Sequence, residues 1–128
     1  MNQPIIKIAA LCIRDRKLLL VRSRNYQAFF TLGGKLESGE TDEQCLIREV
    51  QEEVGCEVIS SKYFGTFEGL AHNKTQNVRL ICYFVELKDT PTPNSEIAEI
   101  CWWNSKSQIV LSDMLTLHLL PALQELLD

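Results

Sequence analysis

The sequence predicts an α/β fold of the α+β kind, a sandwich in which a β-sheet and a few helices share one core. β-Branched and leucine-rich runs dominate the chain up to residue 32 and return between residues 57 and 103. One helix-patterned segment interrupts them at 41–54, and a second closes the chain at 114–127. A helix set among strands, with another after them, supplies the layers that cover a sheet. Periodicity by itself leaves the strand pairing open.

Residues 5–13 (IIKIAALCI) and 17–22 (KLLLVR) are apolar runs separated by Arg14, Asp15 and Arg16, the pattern of a hairpin. Being apolar almost throughout, they read as strands covered on both faces. The polar stretch SRNYQAF then forms a loop, and residues 29–32 a short strand leading into Gly33, Gly34 and Lys35. Adjacent glycines open the backbone to a ligand, because no Cβ shields its carbonyls and amides.

The segment 41–54 carries both of its stop signals. Thr41 suits an N-cap, with Gln44 completing a capping box, and Gly55 suits the left-handed residue that ends a helix. At roughly 100° per residue, Leu46, Ile47, Val50 and Val54 share one arc, while Glu49, Glu52 and Glu53 fall on a separate, adjoining one. One face is expected to pack and another to present carboxylates.

Residues 57–67 and 77–87 read as strands, with His72 in the loop 68–76 between them. The two prolines of DTPTPN make 88–95 a loop, and EIAEICWW, residues 96–103, is the last strand. In the terminal helix Pro121 marks a kink or the first turn of a new helix. His72 reads as incidental and His118 as structural.

These elements fit one domain over residues 1–128, enough chain to bury roughly two thirds of its unfolded surface. Hydrophobic residues at 45% and charged ones at 23% are ordinary for a soluble globular protein. No apolar run reaches the ~18 residues of a membrane span, and the N-terminus lacks the basic and small-residue marks of a leader, so a cytoplasmic protein without a membrane partner is expected. The five cysteines, without a C-x-x-C, lie in apolar surroundings and read as core thiols. Thirteen basic against seventeen acidic residues give a net charge of −4, which argues against a nucleic-acid surface.

The most specific stretch is GKLESGETDEQCLIREVQEEVGC, residues 34–56. Acids at i, i+3 and i+4 have Cβ atoms about 5 to 6 Å apart. That outlines a site for a hard cation, which prefers carboxylate and water oxygens. A solvated acidic helix face meets the same spacing, since a like-charged pair there costs only about 0.2 to 0.5 kcal/mol. The whole string decides between them. Read as G-x5-E-x7-R-E-U-x-E-E-x-G-U with U a bulky aliphatic residue, it is filled in register by Gly34, Glu40, Arg48, Glu49, Val50, Glu52, Glu53 and Gly55. The stretch therefore closely resembles the Nudix box, departing only at Cys56, where the family usually has an aliphatic residue.

The resemblance implies a mixed sheet between helices, an α/β/α sandwich with the box at the sheet's edge. It implies a MutT-like pyrophosphohydrolase of phosphoric anhydrides that uses Mg²⁺ or Mn²⁺, held by Glu49, Glu52, Glu53 and the Gly33 carbonyl. Glu40 and Arg48 then support those ligands, since a guanidinium among carboxylates fixes their rotamers. Relatives of the MutT type often bring a further acid from six residues before a tryptophan, a spacing that Glu96 and Trp102 meet, with Glu99 as the rival. The general base stays open among Glu49, Glu53 and Glu96. Arg22 and Lys35 stand where a substrate phosphate is expected; Arg24 reads more readily as a solvated charge.

Relatives acting on ADP-ribose tend to carry a proline about sixteen residues past the box, and those acting on diadenosine polyphosphates a tyrosine near there. This chain has Ala71, His72, Asn73 and Lys74 in that region, and the signature of the coenzyme A group is missing too. The expected substrate is a small-molecule nucleotide, a nucleoside triphosphate that is canonical or oxidised, cleaved to monophosphate and pyrophosphate. The alternatives are ADP-ribose or another nucleoside diphosphate derivative, or nucleotide sensing without turnover.

Overall fold

The computed structural model describes residues 3–70 and 76–128. Its centre is β1 (Ile5–Leu11), which pairs antiparallel with β4 (Phe30–Lys35) and parallel with β6 (Asn77–Leu87). β6 runs antiparallel to the edge strand β5 (Val58–Leu70). On the other side, β4 pairs with β3 (Lys17–Ser23), which also takes β2 (Ile13–Arg14) and β7 (Ile97–Trp103). One parallel pair among antiparallel ones makes the sheet mixed, as expected.

The N-terminal hairpin forms only near its tip. Asp15 and Arg16 take positive φ values of 52° and 61°, the twist of a tight two-residue turn, and join β2 to β3. β1 lies apart from this hairpin, between β4 and β6. A run apolar on both faces carries no alternation to say which neighbour it prefers, so the sequence could not specify that partner.

Alternation along β1 divides the core in two. Ile8 and Ala10 face the helix α1 (Asp42–Val54), packing with Leu46, Val50 and Val54. Ala9 and Leu11 face the C-terminal helical segment, packing with Leu115, Leu119 and Leu123. That segment is broken near Pro121, where a kink or the first turn of a new helix was expected. A widened π turn, Leu115–Leu119, in which the Leu120 N–H bonds to the Leu115 carbonyl, runs into a short α-helix, α2 (Leu120–Leu123). Pro121 in its first turn explains the widening, because it has no N–H for the carbonyl one turn back and its ring would crowd that carbonyl.

The segment rests on β5 at Gly69, where a Cβ would lie 2.7 Å from the Met114 sulfur and 2.8 Å from His118 Nε2. His118 is thus a packing residue. His72 and the residues sought near it, 71–74, lie outside the described residues. β5 runs to Leu70, three residues past the expected end, while β7 begins at Ile97 and leaves Glu96 just before it. All five cysteines are free, with Cys12, Cys45, Cys56 and Cys82 buried and Cys101 partly so. Cys56, at the variant box position, sits in the core on the α1 side. Among the described residues no helix is long and apolar enough to cross a membrane.

Candidate active site

The helix that carries the acids is fixed at both ends. Thr41 Oγ1 accepts the Gln44 N–H at 3.1 Å, the Gln44 side chain accepts the Thr41 N–H at 2.9 Å, and Gly55 closes the helix at φ 66°. Its first turn is tied to the sheet by Tyr83, whose hydroxyl donates to Asp42 at 2.6 Å. Cys45, Leu46, Val50 and Val54 are buried, and so is Glu53. Ile47, expected on the packing face, is 46% exposed. The packed arc is rotated toward Cys45, at roughly 100° per residue, and then includes Glu49 and Glu53. The expectation of separate packing and acidic faces is therefore corrected: Glu49 and Glu53 point inward, while Glu52 remains exposed.

Glu53 is only 3% exposed, and its Oε1 accepts the Gly33 N–H at 2.8 Å. Gly33 has a φ of 126°, a value that side-chain-bearing residues rarely adopt. Burial pushes the Glu53 carboxyl up to about 8; the Gly33 N–H opposes this, and the charges of Glu49, Glu96 and Glu52 add to it. Burial also raises Glu49, against the pull of Arg48.

Arg48 forks onto Glu40, with Nε to one carboxylate oxygen at 2.7 Å and Nη2 to the other at 2.9 Å, while its Nη1 reaches Glu49 at 2.7 Å. The guanidinium holds Glu40 down to about 2, helped by the Glu37 N–H. This is a bidentate clamp that leaves Glu49 few rotamers. Cys45 was missed as a site residue: its sulfur lies 3.7 Å from the Gly34 carbonyl, the Lys35 carbonyl and Arg48 Nη2. Burial pushes this thiol up to about 12, so it supports the turn rather than reacting. Only the distance between helix and strand reveals it, since a cysteine in a helix carries no such signal.

Of the two rival acids, Glu99 lies opposite Arg22 on β3 and takes its guanidinium at 2.6 and 2.9 Å. Glu96 instead bears electrostatically on both Glu49 and Glu53. Arg22 also donates to the Tyr26 carbonyl, so a phosphate there would compete with Glu99. Lys35 is exposed at the end of β4.

The carboxylates of Glu49 and Glu53 offer this region oxygen ligands of the kind that Mg²⁺ or Mn²⁺ prefers. Among the described residues no three His, Cys, Asp or Glu groups converge on a common point. The cradle is nevertheless shaped for the carboxylates, since a Cβ at Gly34 would lie 2.5 Å from that of Glu49. Glu53, Glu49 and Glu96 crowd charge that a cation would relieve.

A mixed sheet between helices thus carries a buried Glu53 on the Gly33 N–H, beside a Glu49 held by Arg48. The chain belongs to the Nudix family: the NUDIX domain model matches residues 4–123. Among curated relatives, the NAD-capped RNA hydrolase NudC of Vibrio vulnificus (strain CMCP6) is 35% identical over 100 residues, 77% of this chain and 37% of that protein. The protein of the same name from Pseudomonas aeruginosa (strain LESB58) is 45% identical over 58 residues, 44% of this chain and 21% of that protein. The chain thus spans well under half the length of either relative.

Among solved structures, a MutT NUDIX hydrolase from Burkholderia pseudomallei superposes with a TM-score of 0.80 at 18% identity, covering 96% of this chain and 98% of that one. A UDP-X diphosphatase does so at 0.84 and 20% identity, covering 98% and 64%. At those identities the likeness shows the fold.

Proposed function

We propose that this chain hydrolyses the diphosphate linkage of a nucleoside diphosphate derivative with Mg²⁺ or Mn²⁺, and that its substrate is a canonical or oxidised nucleoside triphosphate, cleaved to monophosphate and pyrophosphate. The observation that carries the reading is the buried Glu53 carboxylate on the Gly33 N–H, with Glu49 beside it in the grip of Arg48. An acid kept in so poorly solvated a place stabilises nothing by itself, and its use lies in ligation or proton transfer.

Glu49, Glu52, Glu53, Glu96 and the Gly33 carbonyl are the groups assigned to the cation. Bound there, it supplies charge neutralisation of the phosphates and a more acidic water. Arg48 and Glu40 hold Glu49 in place. Glu49, Glu53 or Glu96 takes the water's proton. Arg22 and Lys35 are assigned to the phosphates. A cavity of about 440 Å³ adjoins Gly33 and Gly34, lined by Tyr26, Phe30, Thr31 and Met114, a size and mixture suited to a nucleoside.

The NudC relatives favour a second reading, in which the pyrophosphate of a dinucleotide is cut. A turnover screen over nucleoside triphosphates, NAD, ADP-ribose, nucleotide sugars and diadenosine polyphosphates, with the products separated by chromatography, decides between them. Highest turnover on a triphosphate, with pyrophosphate released, supports the first reading; highest turnover on NAD or ADP-ribose overturns the substrate choice. Absence of turnover on every compound returns the chain to a nucleotide-sensing role.

A further inference from the structure

The register of β1 against β4 places Lys7 directly opposite Lys35. Residues opposite one another in an antiparallel pair share a face, with Cβ atoms about 4.5 to 5.5 Å apart, and like charges so placed are destabilising. The face is the one away from α1, because Ala9, two residues on from Lys7, packs with Leu115 and Leu119. Lys7 also lines the cavity beside Gly33 and Gly34.

Both lysines are exposed, and among the described residues no ion pair engages either ammonium. The nearby guanidiniums differ: Arg22 is matched by Glu99, and Arg48 by Glu40 and Glu49. Two lysines opposite one another on neighbouring strands, one of them lining the cavity and neither in an ion pair among the described residues, have an anion as their natural partner.

We propose that Lys7 is a substrate-binding residue, and that its ammonium and that of Lys35 together hold a phosphate of the substrate whose organic part fills the adjoining cavity. The proposal rests on the hydrolase reading and adds to it a residue outside the box. Gly34 lies against Glu49 on the α1 side of β4, while Lys7 and Lys35 lie on the cavity side. The strand thus separates metal-seeking acids from phosphate-seeking cations, and its two glycines leave it bare where a polyphosphate has to reach both.

The test is binding of inorganic tripolyphosphate to the full chain in EDTA, followed by calorimetry or amide shifts, for wild type, Lys7→Gln and Lys7→Arg. The expected loss in Lys7→Gln is about tenfold in affinity, the scale of one charge-assisted hydrogen bond, with recovery to within a few-fold in Lys7→Arg. Thermal stability of Lys7→Gln should equal or exceed wild type, since a like-charged neighbour is removed. With the best nucleotide, KM should rise while kcat stays within about a factor of two, the mark of lost ground-state binding. No binding by wild type, equal affinity in Lys7→Gln, or a loss that follows a fall in Tm and is not rescued by arginine overturns the proposal. Lys7-dependent binding in a chain that turns over no nucleotide upholds the anion site and removes the hydrolase reading instead.

Discussion

Gly34 and Glu49 occupy space that a single methyl group would contest: a Cβ at Gly34 would stand 2.5 Å from the Glu49 carboxyl. The next residue back differs in kind. A Cβ at Gly33 would stand 1.9 Å from the Ile8 carbonyl oxygen, and the φ of 126° is strained for any side chain. The Glu49 carboxylate can swing aside once it gives up its bond to Arg48, whereas the sheet backbone at Ile8 cannot yield. Gly34→Ala is therefore expected to keep its Tm near wild type while losing most activity, and Gly33→Ala to lose roughly 1–3 kcal/mol of stability. Denaturant unfolding and turnover on the same samples check both, and equal destabilisation by the two would contradict the contact.

Glu49→Gln and Glu53→Gln should stay folded and lose at least about 10² in turnover, up to 10⁴ for whichever is the base. Glu96→Gln should cost more than Glu99→Gln, because Glu96 bears on the box acids and Glu99 holds Arg22. Steady-state kinetics on all four variants reads the order. Turnover of the two box variants within a few-fold of wild type would leave the acids as charge on a helix.

Mg²⁺ or Mn²⁺ should raise the stability of the folded chain by about 2.7 kcal/mol at a hundred times its dissociation constant. Thermal melts with and without metal measure this, and Glu53→Gln should show a much smaller rise. An equal rise in that variant removes Glu53 from the ligand set.

The pH dependence of the metal-free chain follows from the sign of the Glu53 shift. Its folded value of about 8 stands above the ordinary 4.5, so the folded state keeps a proton that the unfolded chain releases. That contribution is complete below about pH 4.5 and is lost as pH rises toward 8. Urea midpoints in EDTA should accordingly fall across this window in wild type and change less in Glu53→Gln. Parallel profiles would show that the burial of Glu53 is not felt as a shift.

The sequence by itself determined the local features, because each is written in neighbouring residues. Thr41 with Gln44, and Gly55 after Val54, set the helix ends found in the fold. The box string gave the acids and the family, and the break at Arg14, Asp15 and Arg16 between two apolar runs marked the turn of a hairpin, which forms over residues 13–14 and 17–18. Tertiary structure alone decided what depends on distance between segments. That β1 lies between β4 and β6, that Glu53 turns inward to Gly33 while Ile47 turns out, and that Glu99 takes Arg22 all follow from register and packing. An all-apolar strand names no partner, and a helical arc fixes its angle only when a surface exists to receive it. The pairing of Lys7 with Lys35 is of the same kind, two charges far apart in the chain and joined only by the ladder between β1 and β4.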